Sequence, residues 1–162
     1  MEDRRVLILG IGNLLMGDEG VGVHAVRVLE GRDLPAPAVV VDGGTGGFHL
    51  LEYFSDYGTI ILIDATMDGK PPGAVSLLEP RYPSDFPRSL TAHDIGLRDL
   101  IESANLLGPL PRMLLVTISI GEIQSMVTSL SPEVSAAIPK VVTMVEGLLA
   151  GEADSGESVE TP

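Results

Sequence analysis

The 162-residue chain contains no cysteine and no tryptophan, and aromatic residues make up only 4% of it. Without cysteine there is no disulfide, no thiolate metal site and no cysteine nucleophile, and nothing in the composition signals an oxidising compartment. Basic residues are scarce too: ten Lys and Arg stand against 23 Asp and Glu, for a formal charge of −13. Nucleic-acid binding relies on clustered cations that displace counterions from phosphates, and ten scattered ones on so acidic a chain argue against that class. Near the N-terminus the apolar run VLIL (6–9) is cut short by Gly10. Such a run is too short for a signal-peptide core or a membrane span, so a cytoplasmic protein with no membrane partner is expected.

What is present is enough apolar sequence for one core. Runs of strand length recur as VLIL (6–9), AVVV (38–41), TIILI (59–63) and MLLVTISI (113–120). They are continuous rather than alternating, as strands covered on both faces should be. Helix-spaced apolar residues lie between or after them: Val21, Ala25, Val28 and Leu29; Leu97, Leu100, Ile101 and Ala104; and a last series from Val134 to Leu149. A short strand near Ala74–Leu78 follows the turn MDGKPPG without an intervening helix, which suits an antiparallel edge strand. The expectation is an α/β fold: a three-layer α/β/α sandwich around a twisted, mostly parallel five-stranded sheet with one antiparallel edge strand. Residues 1–150 form the single domain in this reading, and 151–162, GEADSGESVETP, a disordered acidic tail. In LSPEV, Ser131 suits a helix cap and Pro132 the first helical position, while Pro139 is expected to kink the helix that follows. RYPSDFPRSLTAHD (81–94) reads as a long surface loop.

The first strand runs into GIGNLLMGDEGVGVHAV (10–26), where a phosphate site is the usual occupant. The dinucleotide pattern GxGxxG has Gly10 and Gly12, but Leu15 stands where its third glycine belongs. The P-loop spacing is met by Gly12 and Gly17, but the Lys and Ser/Thr that should follow are Asp18 and Glu19. Two carboxylates repel a phosphate and attract a metal or another cation. They also suit a helix N-terminus for purely structural reasons.

Ligands of open α/β sheets bind beyond the carboxyl ends of the strands. Asp18 and Glu19 follow the first strand there, Asp42 ends VVVD ahead of GGTGG, Asp64 ends TIILID, and His93 precedes the helix near Leu97. Each has a plain structural explanation as a turn or cap residue. Together, Glu19, Asp64 and His93 offer two oxygens and an imidazole nitrogen, a set suited to Ni(II), Zn(II), Fe(II) or Mn(II) with positions left open. His24 and His49 fall on expected helices and read as structural or exposed, and no serine or threonine sits in a GxSxG elbow.

GIGNLLMGDEGVGVHAV, VVDGGTGGFHLLE, IILIDA and TAHDIGLRDLI, taken in order, resemble the hydrogenase maturation proteases. These are endopeptidases that trim the C-terminus of the large subunit of nickel-iron hydrogenases. The resemblance covers about residues 5–149 and implies an α/β/α sandwich with a metal site at the strand ends. It places metal-contacting and catalytic roles on Glu19, Asp64 and His93, and a substrate-binding role on the loop Asp42, Gly43, Gly44 and Thr45. It further implies that nickel, supplied by the precursor, is the metal engaged, with another divalent ion able to substitute. The partner is then the nickel-iron hydrogenase large-subunit precursor, cut once by a monomeric enzyme after nickel insertion. Many members of the family carry a Pro-Glu step after the last core strand, where this chain reads SIGEIQSMVTSLSPEV; that departure bears on the hydrogenase class served. With no cysteine and no serine motif, attack by water is favoured, and Asp18 is a candidate base. The alternative from another class is a non-catalytic, nickel-dependent binding or chaperone module acting on the same precursor.

Overall fold

The computed structural model describes residues 5–87 and 97–155. Five strands, β1 (Val6–Gly10), β2 (Val39–Asp42), β3 (Thr59–Thr66), β4 (Val75–Leu78) and β5 (Arg112–Ser119), form one sheet in the order β2-β1-β3-β5-β4. All neighbours are parallel except β4, which runs antiparallel to β5 at the edge. The expected short strand after MDGKPPG thus takes the place expected of it. No crossover helix separates β3 from β4, and a connection that short can only return the chain antiparallel.

The helices are α1 (Val21–Glu30), α2 (Tyr53–Asp56), α3 (Leu97–Leu107), α4 (Pro132–Ser135) and α5 (Ile138–Ser155). Side chains alternate across the sheet and sort the core into two halves. Ile8, Ile61, Ile63, Leu114 and Val116 pack against α1, α4 and α5. Leu7, Leu9, Ile60, Leu62 and Leu115 pack against Leu50, Phe54, Phe86 and α3. β1, β3 and all of β5 but its first residue are buried, which is why their sequences are unbroken apolar runs, whereas the edge strands β2 and β4 remain partly open.

Three local features differ from the sequence reading. β3 continues through Asp64 to Thr66, so Asp64 lies within the strand, paired in register with Thr117 of β5. The last helical stretch is two helices: a turn at 136–137 separates Ser135 from Ile138, and Pro139 is the second residue of α5 instead of a kink within a continuous helix. A proline in a first turn has no hydrogen bond to forfeit, so it starts a helix more readily than it bends one. At the other end α5 runs past residue 150 to Ser155, through Glu and Ala that favour helix, and 156–162 lie outside the described residues. In the expected loop 81–94, Pro83–Asp85 form a 3-10 turn, closed by Asp85 accepting from the backbone N–H of Arg81 and Tyr82, and 88–94 lie outside the described residues.

Candidate active site

Chain order places β2 on one side of β1 and β3 on the other, so the strand order reverses between β1 and β3, and it is at such a point, beyond the carboxyl ends of the strands, that open α/β sheets form their ligand crevice. The loops there are laced by backbone hydrogen bonds. Ile11 N–H donates to Ile63 C=O (2.9 Å), Gly12 N–H to Gly44 C=O (2.7 Å) and Gly43 N–H to Gly10 C=O (2.8 Å). The start of α1 presses directly on this weave. A Cβ on Gly22 would meet the carbonyl oxygens of both Ile11 and Ile63, so only glycine lets the helix sit this close.

Between the glycine turn and α1, Gly17–Gly20 form a 3-10 turn that carries Asp18 and Glu19, both 2% exposed. Asp64 is fully buried. Its Oδ1 accepts the Ala65 N–H at 2.8 Å, and its Oδ2 has no hydrogen-bond partner among the described residues. Burial pushes its carboxyl well above the usual carboxylate range; the Ala65 hydrogen bond works the other way, and the nearby Glu19 charge pushes it up further. The Glu19 charge is thus felt at Asp64: both acids are buried, and one of them has an oxygen without a partner among the described residues. Such a pair demands a proton or a cation, and its all-oxygen donor set fits a divalent ion completed by a nitrogen ligand. His93 lies outside the described residues, and among those described no three His, Asp or Glu side chains gather into a metal cluster.

The second candidate group is the loop after β2. Asp42 Oδ1 accepts the Gly44 N–H at 2.9 Å, and its other oxygen lies 3.8 Å from Arg27. Asp42 thus orders its own loop, Gly43 is buried beneath it, and Thr45 faces solvent. Gly44 and Gly46 have φ of 55° and 82°.

Asp18 points elsewhere. Oδ1 accepts the backbone N–H of Ser131 (2.7 Å), while Oδ2 accepts the Ser131 hydroxyl (2.8 Å) and the Gln124 amide (3.2 Å). A carboxylate so engaged is poorly placed to take a proton from water, which removes it as the candidate base. Ser131 does precede α4, but its hydroxyl caps nothing there because it is turned to Asp18. Sequence reasoning missed this contact, which joins residues 113 positions apart with no motif between them. His24 sits on α1 and His49 on a 3-10 turn. The His24 imidazole is held below its usual pKa by burial, then by Arg27, with a hydrogen bond to the Thr128 backbone opposing both.

The HycI family model, described as hydrogenase maturation protease, matches residues 23–148. The hydrogenase 2 maturation protease of Escherichia coli K12 is 34% identical over 155 residues, which cover 94% of this chain and 93% of that one. The hydrogenase expression/formation protein HupD of Bradyrhizobium diazoefficiens is 36% identical over 120 residues, 71% of this chain. The matched region spans only 62% of that relative's length. Among solved structures, the hydrogenase maturating endopeptidase HybD of E. coli superposes with a TM-score of 0.80 at 31% identity, covering 91% of this chain and 93% of its own. The [NiFe] hydrogenase maturation protease HybD of Thermococcus kodakarensis does so with a TM-score of 0.71 at 28% identity, covering 90% and 99%.

Proposed function

The chain belongs to the hydrogenase maturation protease family, and from that premise we propose that it is the endopeptidase that removes the C-terminal extension of a nickel-iron hydrogenase large-subunit precursor once nickel is inserted. One observation carries the reading: two buried acids, Glu19 and Asp64, lie beside the point where the strand order reverses, and the second has an oxygen without a partner among the described residues.

In this reading the nickel is part of the substrate. Glu19, Asp64 and, from the sequence resemblance, His93 hold the nickel-bearing end of the precursor at the crevice, and another divalent ion can stand in for nickel there. The loop Asp42–Thr45, set by the Asp42 to Gly44 hydrogen bond, receives the adjoining peptide. Nickel contact restricts an enzyme with few side-chain pockets to one protein, because a chain without the metal lacks the interaction that holds it in place. Water is the nucleophile, since the chain has no cysteine and its serines lack an activating elbow. The enzyme acts in the cytoplasm as a monomer.

The test is intact mass spectrometry of a nickel-loaded large-subunit precursor before and after incubation with the protein, beside the same precursor without nickel. Release of one C-terminal peptide only from the loaded form is the expected result, lost in Glu19→Gln and His93→Ala variants. Stable complex formation without any mass change would replace the protease by the chaperone reading, and equal cleavage of both precursors would remove nickel from the recognition step.

A further inference from the structure

Asp18 takes no part in the reaction outlined above, yet it is as buried as its neighbour Glu19. Its hydrogen bonds form a closed unit with the segment 121–131 that follows β5. The Gln124 side chain is used at both ends: Oε1 accepts the Asp18 backbone N–H at 2.9 Å while the amide donates to the Asp18 carboxylate. Ser131 fills the rest of the carboxylate with its backbone N–H and hydroxyl. Two backbone bonds flank this unit, Gly17 N–H to Val127 C=O (2.7 Å) and Val127 N–H to Leu15 C=O (3.1 Å). Gly17 has φ of 57°, and a Cβ there would run into the Gln124 side chain, so the glycine is needed for backbone shape and for space.

The segment so held is under local strain. Met126, 81% exposed, is the sole non-glycine residue with positive φ (59°) among those described. A strained backbone persists only where its surroundings fix it. Glu19 follows Asp18 directly on the short 3-10 turn, so whatever anchors Asp18 also sets where the Glu19 carboxylate points.

We propose that Asp18 is a positioning residue, which clamps the segment 121–131 through Gln124 and Ser131 onto the turn that carries Glu19 and so fixes Glu19 for the precursor. The proposal rests on the endopeptidase reading for its effect on processing, while the clamp itself is measurable without substrate. It differs sharply from a role for Asp18 as base, because a clamp can be rebuilt with acid and amide exchanged. In the double variant Asp18→Asn with Gln124→Glu, the amide now at position 18 donates to the carboxylate now at position 124. That carboxylate still accepts the backbone N–H of position 18, and the remaining side-chain oxygen at position 18 still accepts the Ser131 N–H. The Ser131 hydroxyl turns to accept from the relocated amide.

The experiment compares wild type, D18N, Q124E and D18N/Q124E at a temperature where circular dichroism shows all four folded. Amide hydrogen exchange over 121–131 is read alongside kcat and KM for nickel-loaded precursor. D18N is expected to exchange at least about tenfold faster at Ser131 and to lose about 10- to 100-fold in kcat/KM, the range typical of residues that orient ligands. Q124E sets two carboxylates face to face and should also lose, whereas the double variant returns both readouts to within about threefold of wild type. Restored protection without restored processing would overturn the proposal in favour of Asp18 acting on the substrate. Unchanged exchange in D18N would overturn it outright. Should D18N fail to fold, Ser131→Ala removes one bond of the clamp and is read the same way. Were wild type itself inactive on the precursor, the endopeptidase reading would fall, and exchange would still decide whether the clamp exists.

Discussion

Asp64→Asn should make the metal-free protein more stable while ending precursor processing. In wild type the carboxyl is fully buried, one oxygen has no partner among the described residues and the Glu19 charge lies nearby. Asparagine keeps the shape and the Oδ1 acceptor for the Ala65 N–H, and replaces a group that carries charge by one that cannot. It leaves a buried amide without a partner, which costs about 1–3 kcal/mol; the ionised carboxylate it replaces costs several kcal/mol to bury. The net gain is then about 1–3 kcal/mol at pH 8, or roughly 2–12 °C in Tm for a domain of this size. The sign follows from linkage. Asp64 has its folded pKa raised, so its contribution is full below the unfolded pKa of about 3.9 and is lost as pH rises toward the folded value. The amide of the variant does not titrate and has no such loss. Thermal unfolding followed by circular dichroism in EDTA should therefore show a gap between variant and wild type that is small near pH 4 and widens to pH 8. Nickel should then narrow it by stabilising wild type alone. A gap independent of pH, or a variant less stable than wild type at pH 8, would refute the argument that Asp64 is held against its own burial.

Other outcomes follow from packing. Ile61→Ala removes a fully buried side chain at the centre of the sheet and should lower unfolding stability by about 2–5 kcal/mol in urea titration. Gly22→Ala places a methyl against the carbonyl oxygens of Ile11 and Ile63, so α1 must lift; about 1–3 kcal/mol of destabilisation is expected, with processing impaired beyond what the stability loss explains. Arg32→Ala breaks the Arg32–Glu146 pair between the end of α1 and α5, which is largely exposed, and should change stability by less than about 1 kcal/mol in the same titration.

The fold was legible because its strands are buried on both faces: β1, β3 and β5 carry unbroken apolar runs, and the absence of a helix before β4 foretold its reversed direction. Boundaries were less so. Asp64 looked like a strand terminus because a charge usually ends an apolar run, but the strand continues through it, and that continuation is what strips it of water. Glu19 and Asp64 could be proposed for one site from sequence alone because the ends of adjacent parallel strands converge by topology. The Asp18 clamp could not, since it depends on where an irregular segment folds back, and neither hydrophobic period nor turn chemistry encodes that path. Ser131 shows the same limit: its position before Pro132 suits a cap, and the stronger charged acceptor across the molecule took its hydroxyl instead.

The clamp also sets an order of events during synthesis. Asp18 and Ser131 are 113 positions apart, and the Arg32–Glu146 contact that helps seat α5 on α1 spans 114. Parallel pairing and contacts of such span form late, after the costlier loops have closed. On the ribosome, Glu19 emerges well before Ser131, so its supporting contacts cannot form until the segment 121–131 has been released. Partly made chains thus carry the acidic turn without the geometry to use it, so competence arrives in one late step.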